Sequence, residues 1–397
     1  MICESGIRTR TTVPLDIDDP GVFGENGIIP VDSFTDLIHG HRPPGNIDLE
    51  IEVATDGEPV HLQVTVQSID EYRIQVVSSW KATSGGRSVG LTWEQDGIPV
   101  TSSNRADRYS VVYEDERRIG VPVAFRGLLP DLSAECSMCE KMSSESVDRI
   151  LRVVRSIVQG FPRIRYLGPF RTVPSRRYRI PSRVPSSIGN AGENAVTVLA
   201  GDTLREQGTL VRILNEEISQ AIPGWRIEVL EEGRTRSVLL VSRDNPHLRI
   251  NLADTGTGVA QVLPILVQRV MDLVDPPAEP VLEIVEEPEL HLHPAAHAGL
   301  ADLYLDRAVR SRTRFLVETH SETFVLRLRR RIAEGRCSPQ DVALYFVDHR
   351  NGAAVSRRIR IDEDGGLDHW PEGVFCEDYA ETQALVRAQL KRQTGES

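Results

Sequence analysis

The segment VLEIVEEPELHLHP, residues 281–294, places two carboxylates, Glu286 and Glu287, directly after an apolar run. A buried strand of that kind delivers them at its C-terminal end, where open α/β sheets place their ligands. Adjacent carboxylates there can divide labour. One can hold Mg²⁺, a hard cation that takes oxygen ligands, and the next can orient or deprotonate an attacking water. RFLVETHSETF, residues 314–324, repeats the arrangement with Thr319, His320 and Ser321 between a strand and a helix. A histidine at that junction can hydrogen-bond a γ-phosphate or an attacking water; the plainer alternative is a capping or core histidine. In NLADTGTGVAQVLPILV, residues 251–267, Gly256, Thr257 and Gly258 precede a helix. Their backbone N–H groups and the helix N-terminus can meet phosphate oxygens; the alternative is a helix-capping turn.

Other clusters compete for attention. Cys136 and Cys139 form half a zinc site with no second pair nearby. His291, His293 and His297, with Glu286 or Glu289, suggest a metallohydrolase. His293 and His297 would share a helix face only if the helix began at His293, and Pro294 starts it later. Between Asp148 and Glu193 there is no acidic residue, while arginines run from Arg149 to Arg183 with Tyr166, Phe170 and Tyr178 interleaved. That mixture suits phosphate contact with base stacking; the alternative is ion pairing within the chain. Arg327, Arg329, Arg330 and Arg331 make a second cluster.

The elements that must carry these residues follow from hydrophobic periodicity. From Ile47 to about Arg126 apolar and polar residues alternate, as in IDLEIEVA and VHLQVTVQ, which predicts a half-exposed antiparallel meander. Val147, Ile150, Leu151, Val154, Ile157 and Val158 share one helical face. An amphipathic helix is expected near residues 193–219, then a strand pair from WRIEVLEE and RSVLLVSRD. Farther on come a helix from about Gly258 to Leu273, strand VLEIV, a helix opened by Pro294 and strand RFLVET. A helix from Ser321 to about Ala333, strand VALYFVD, strand VSRRIRI, a DEDGG turn and a helix from about Glu377 to Arg392 complete the chain. Short buried strands alternating with helices imply a parallel sheet covered on both faces.

Three of these segments together resemble a known family. EEPELHLHP, ETHSE and DTGTGVAQVLP are similar to the Walker B, switch-histidine and signature segments of SMC/ABC-like AAA ATPases. IRIDEDGGLDHWPEGVFCEDYAE, residues 359–381, looks like the small conserved C-terminal domain of unknown function that ends some bacterial predicted ATPases. SFTDLIHGH, YLGPFR and SSIGNAGENAV also look like this family, so the resemblance runs from about residue 25 to 393. It implies an α/β fold with a P-loop NTPase-like core sheet of the ABC/SMC head type, an antiparallel β lobe and a small C-terminal domain. The expected divisions are an irregular segment over 1–45, the β lobe over 46–145 and a helical, Arg-rich lobe over 146–250. The ATPase core covers 251–350 and the C-terminal domain 351–397. By the same resemblance Glu286 takes the Mg²⁺ position, where aspartate is usual, Glu287 polarises water and His320 senses the γ-phosphate. Gly256, Thr257 and Gly258 replace the serine-containing signature turn. ATP and Mg²⁺ are the implied ligands, a homodimer the implied assembly, and DNA transactions or phage defence the implied setting.

The chain departs from that family at the P-loop, GxxxxGK[ST]. Only Lys81, Lys141 and Lys391 are lysines, and none sits in that glycine frame. Either the N-terminus has been lost or a partner chain supplies the P-loop, and hydrolysis requires that supply. A scaffold or regulatory subunit that does not turn over ATP is the alternative function, and a metal-dependent nuclease using the same carboxylates is the third. In the resembled family the P-loop strand lies beside the switch-histidine strand, so the gap it leaves is expected to be filled by another segment or by a partner chain, or the region to be unstable. A sheet fully paired from residues after 280 alone would contradict this.

Composition closes off other classes. The 397 residues allow roughly two to three compact units. A net charge of −12 argues against bulk attraction to nucleic acid, leaving local patches. Five scattered cysteines make no disulfide framework. No run approaches the roughly 18 consecutive apolar residues of a membrane span, and MICESGIRTRTT does not read as a signal peptide. A cytoplasmic protein without membrane contact is expected.

Overall fold

A computed structural model describes residues 15, 33–38, 45–54, 57–69, 74–94, 107–113, 116–131, 143–179, 181–205, 208–222, 224–350, 352–371 and 385. Cys3, Cys136, Cys139, Cys376, Lys141, Lys391 and nearly all of the expected helix over 377–392 lie outside them. The chain is mixed α/β and divides into two compact units, one of residues 1–166 and 278–282, the other of 167–277 and 283–397.

The alternating segment of the first unit forms seven strands: β1 (Asn46–Val53), β2 (Val60–Ile69), β3 (Ile74–Ser84), β4 (Arg87–Trp93), β5 (Asp107–Tyr113), β6 (Glu116–Arg126) and β7 (Leu129–Asp131). They pair in chain order as an antiparallel meander. Period-two patterning sends Leu62, Val64, Val66, Trp80, Ala82, Val89, Leu91 and Val111 into one core. Register slips at Thr65/Val66 and Tyr109/Val111 mark irregularities of the kind that bend a sheet. Helix α1 (Ser144–Gly160) adds Val147, Ile150 and Ile157 to that core. Its face is narrower than its sequence suggests, because Val158 is exposed.

After the short strands β8 (Arg163–Leu167) and β9 (Tyr178–Arg179), the second unit continues as loops and helices. The single helix expected over 193–219 is two, α2 (Ala195–Arg205) and α3 (Thr209–Ala221). Gly208, at φ 77°, breaks it, a left-handed conformation that glycine adopts without Cβ strain. Buried Asp202 secures the break by accepting from the Val211 N–H at 3.2 Å. The expected hairpin is present as β10 (Trp225–Glu232) and β11 (Thr235–Ser242), and β11 also pairs with β12 (Arg249–Asn251) and β9. Helix α4 (Thr257–Val274) is long and apolar enough to cross a membrane by length and composition alone. Here it packs as a core helix, with Val262, Leu263, Ile265, Leu266, Val267 and Val270 buried.

Strand β13 (Val281–Glu286), helix α5 (Pro294–Arg310), strand β14 (Thr313–Glu318) and helix α6 (Glu322–Ala333) follow as the periodicity predicts. The Glu287 N–H donates to the Glu318 carbonyl at 2.9 Å, so the C-terminal ends of β13 and β14 lie together and the strands run parallel. The strand order is β14-β13-β8, with β8 beside β13 and not in the expected place beside β14. Among the described strands β14 has one neighbour, and its Leu316 is 56% exposed. VALYFVD does not extend this sheet. It forms β15 (Leu344–Arg350), a two-stranded antiparallel hairpin with β16 (Ala353–Ile359), and leaves Tyr345 and Val347 exposed. Its side chains alternate in exposure, so one covered face suffices, which the hairpin allows and a two-sided parallel sheet does not. The DEDGG turn is closed by Asp362, which accepts from the Gly366 N–H at 2.6 Å, and Arg329 of α6 donates to the Gly365 carbonyl at 2.7 Å.

Candidate functional site

The three chemistry-bearing segments meet within the second unit. At the end of β13 the chain leaves Glu286 and turns at Glu287, whose φ is 41°; His291 follows at φ 63°. Left-handed backbone at a non-glycine residue costs about 1–3 kcal/mol and persists only where its surroundings enforce it. The enforcing contacts are identifiable. The Glu287 N–H is bound to the Glu318 carbonyl, and the Glu287 carbonyl accepts from the Leu290 N–H at 3.0 Å. Arg171, only 3% exposed, donates through Nη2 to the Glu286 carbonyl at 2.8 Å and through Nη1 to the Glu287 carbonyl at 3.2 Å. Gln261 of α4 in turn donates to the Arg171 carbonyl at 3.4 Å.

Glu289 ties this turn to the end of β14. It is 8% exposed, and its Oε1 accepts from the Thr319 hydroxyl at 2.8 Å and from the His320 N–H at 2.7 Å. Its Oε2 is buried and has no hydrogen-bond partner among the described residues. Ser321 then caps α6, accepting from the Phe324 N–H at 3.1 Å, and its hydroxyl meets His297 Nδ1 at 2.8 Å. His320 itself is exposed at the junction.

The glycine turn approaches the same loop. Gly256 is the N-cap of α4 and makes no side-chain capping bond. At Gly258 an added Cβ would stand 2.7 Å from the His291 carbonyl oxygen, so a glycine is required for this closeness. Gly256, Thr257 and Gly258 therefore lie beside the turn that follows Glu286 and Glu287, which in turn is hydrogen-bonded to the strand end bearing His320.

Beneath the turn the interior is charged. Glu283, in the middle of β13, is buried with Arg307 of α5, whose Nη1 is 3.6 Å away, and Arg307 also contacts buried Asp272 of α4. The Tyr304 hydroxyl is buried without a hydrogen-bond partner among the described residues. Burial pushes the Tyr304 phenol up, and the Glu283 carboxylate adds to that. Burial also lowers the Arg171 guanidinium from its usual value, while Tyr304, Glu289 and Glu287 draw it back up. Such groups are costly to bury unless mutually compensated.

The competing assignments resolve differently. His293 caps α5, its Nδ1 accepting from the Ala295 N–H at 3.2 Å, while His297 Nε2 lies 3.3 Å from the Leu292 carbonyl. Those rings are occupied with local structure. Among the described residues no group of three or more His, Cys, Asp or Glu side chains is arranged to hold a metal. A single strand-end carboxylate is the donor set for a Mg²⁺ held mainly through phosphate oxygens, not for an all-protein cage. The second arginine cluster is spent internally: Arg327 and Arg331 bind Asp302, Arg330 and Arg331 bind Glu334, and Arg329 binds Gly365. In the first tract Arg176 pairs with Asp254 and Arg177 with Glu232 at 2.9 Å, Arg171 is buried, and Arg179 and Arg183 are exposed, as is Phe170 at 85%.

Spacing alone does not single out Arg171 and Glu289 in these roles. Arg171 sits in YLGPFR, and its place inside a run of arginines hides it.

Comparison with known proteins gives one family and several structures. The family described as "Protein of unknown function (DUF3696)" matches residues 337–384. No curated protein matches the chain. An SMC head bound to the C-terminal winged-helix domain of ScpA overlaps 84% of this chain and 81% of its own, at 11% identity and a TM-score of 0.35. The SMC head domain from Thermotoga maritima overlaps 78% of each chain, at 9% identity and a TM-score of 0.31. A chain from work on ATP-driven dimerisation and DNA-stimulated activation of SMC ATPases overlaps 40% of this chain and 88% of its own, at 14% identity and a TM-score of 0.31. Overlaps of this quality assign no role to any residue, and the functional weight falls on the geometry of the site.

Proposed function

We propose that this chain is a nucleotide-binding protein of the ABC/SMC-like ATPase class that acts on the phosphates of Mg-ATP. The observation that carries the proposal is the meeting of three segments: Gly258 against the His291 carbonyl, Arg171 on the Glu286 and Glu287 carbonyls, and Glu289 on His320. Parallel strands that end together present their polar termini to one ligand, as open α/β sheets do.

Within that proposal Glu286 ligates Mg²⁺, which supplies charge neutralisation for the phosphates. Glu287, held at an otherwise disfavoured φ, aims its carboxylate at an attacking water. His320 donates to the γ-phosphate, and the amides of Gly256, Thr257 and Gly258 face phosphate oxygens at the start of α4. The P-loop needed for turnover comes from another chain or another segment, and β14, which has one neighbour among the described strands, is the edge at which a further strand would pair. A homodimer or a P-loop-bearing partner completes the site. Exposed Arg179, Arg183 and Phe170 are the groups through which nucleic acid would be met.

A catalytically inactive scaffold subunit is the second reading; Lys81, Lys141 and Lys391 stand outside a GxxxxGK[ST] frame. Calorimetric titration with Mg-ATP tests the proposal. Submillimolar binding by the chain, weakened about tenfold in His320→Ala and retained in Glu287→Gln, is expected. Equal heats for wild type and His320→Ala would remove His320 from the site, and no heat for any of them would sink nucleotide binding by the isolated chain.

A further inference from the structure

The loops that carry Glu287 and His320 rest on two buried side chains of opposite charge. Arg171, 3% exposed, spends both terminal nitrogens on the carbonyls of Glu286 and Glu287 and reaches neither carboxylate through a hydrogen bond. Glu289, 8% exposed, spends Oε1 on the Thr319 hydroxyl and the His320 N–H. A buried guanidinium that binds carbonyls and a buried carboxylate that binds neutral donors each carry a desolvation cost that those hydrogen bonds must offset. Each also does what a neutral side chain would do less well. Charge-assisted hydrogen bonds are roughly twice as strong as neutral ones, and here they act on two loops whose backbone is otherwise strained or exposed.

We propose that Arg171 and Glu289 are a buried positioning pair that fixes the Glu287 turn and the His320 junction relative to one another. Arg171 sets the carbonyl direction of the turn and thereby the exit of the Glu287 side chain. Glu289 sets the His320 backbone and thereby the origin of its ring. The proposal rests on Glu287 and His320 being working groups, and it adds two residues that touch no substrate.

Amide hydrogen exchange on the full chain, read by peptide, tests this with Glu289→Ala, Glu289→Gln, Arg171→Met and Arg171→Lys. Glu289→Ala should speed exchange over residues 315–324 about tenfold and leave residues 60–69 of the β lobe as in wild type. Glu289→Gln keeps an acceptor oxygen and should stay within about threefold. Arg171→Met should loosen residues 286–292 instead. Wild-type exchange over 315–324 in Glu289→Ala, or acceleration spread equally to residues 60–69, would overturn the pair. Should Glu289→Ala fail to fold, Arg171→Lys decides the matter. Faster exchange confined to 286–292 supports the pair, and unchanged exchange there overturns it.

Mg-ATP calorimetry on the same proteins separates this proposal from the functional one. A wild-type chain that binds no Mg-ATP sinks the nucleotide proposal whatever the exchange shows. Wild-type binding alongside unaltered exchange in the variants sinks the pair alone.

Discussion

The two units bury different chemistry. Among the described residues, every buried polar or charged side chain belongs to the second unit, from Arg171 and Asp202 to Thr313 and Ser321. The core of the first is apolar, built from Leu62, Val64, Trp80, Val111, Ile150 and their neighbours, with Tyr109 donating to the Val77 carbonyl at 2.9 Å. A meander with one covered face needs nothing else, because its backbone groups pair along the ladder. The second unit carries Asp272, Glu283, Glu289, Arg171 and Arg307 in its interior, at a cost that hydrophobic side chains of similar volume would not incur. Those charges stand beneath or against the strand ends, which is where a site needs backbone held in strained, fixed positions.

Arg307→Met should expose that difference most strongly. It leaves Asp272 and Glu283 buried without that cation and should cost about 3–5 kcal/mol in denaturant unfolding. Replacing all three as Asp272→Asn, Glu283→Gln and Arg307→Met should return most of that loss. A single variant as stable as wild type would mean that the interior charge is not a cost, and the contrast between the units would fall.

Leu62→Ala sets the reference for the apolar unit. Removing a fully buried leucine should cost about 3 kcal/mol, comparable in stability to the charged substitution, yet leave Mg-ATP heats unchanged once the protein is folded. A loss of binding there would mean that the β lobe shapes the site.

Gly258→Ala is smaller in stability and larger in function. The new Cβ, 2.7 Å from the His291 carbonyl oxygen, must push the turn away, an overpacking cost of about 1–3 kcal/mol. Mg-ATP binding should weaken while the β lobe keeps its exchange protection. Equal binding would show that the glycine turn does not face the nucleotide.

The smallest effect concerns Asp302. Burial pushes its carboxyl up, but hydrogen bonds from Arg331 and the charges of Arg327 and Arg331 outweigh this and hold it below its ordinary value. A depressed carboxyl contributes stability that is present above its unfolded pKa and lost as pH falls through the folded one. Asp302→Asn should therefore cost under about 1 kcal/mol at neutral pH, and the gap from wild type should close below about pH 4. A gap that persists into acid would assign the effect to packing.

The sequence pattern and the structure part company for physical reasons. Alternation in IDLEIEVA and VHLQVTVQ is local and dictates a face, so the meander is legible, as are Pro294 at the start of α5 and Ser321 before α6. Gly208 is legible as a residue but not as a break, because amphipathic spacing continues through it. VALYFVD carries the same letters as a buried strand, and only its pairing with β16 and the exposure of Tyr345 and Val347 distinguish its hairpin. In the site, Glu286, Glu287 and His320 are marked by strand ends. Arg171 reaches across more than a hundred residues of chain to find the carbonyls of Glu286 and Glu287, a pairing that no local spacing encodes.

The most direct test of the account compares Mg-ATP with Mg-ADP affinity by calorimetry, in wild type and in His320→Ala. If the two strand ends face a γ-phosphate, wild type should prefer ATP by about tenfold, and His320→Ala should lose most of that preference while binding ADP as wild type does. Equal affinities for ATP and ADP in the wild-type chain would contradict it.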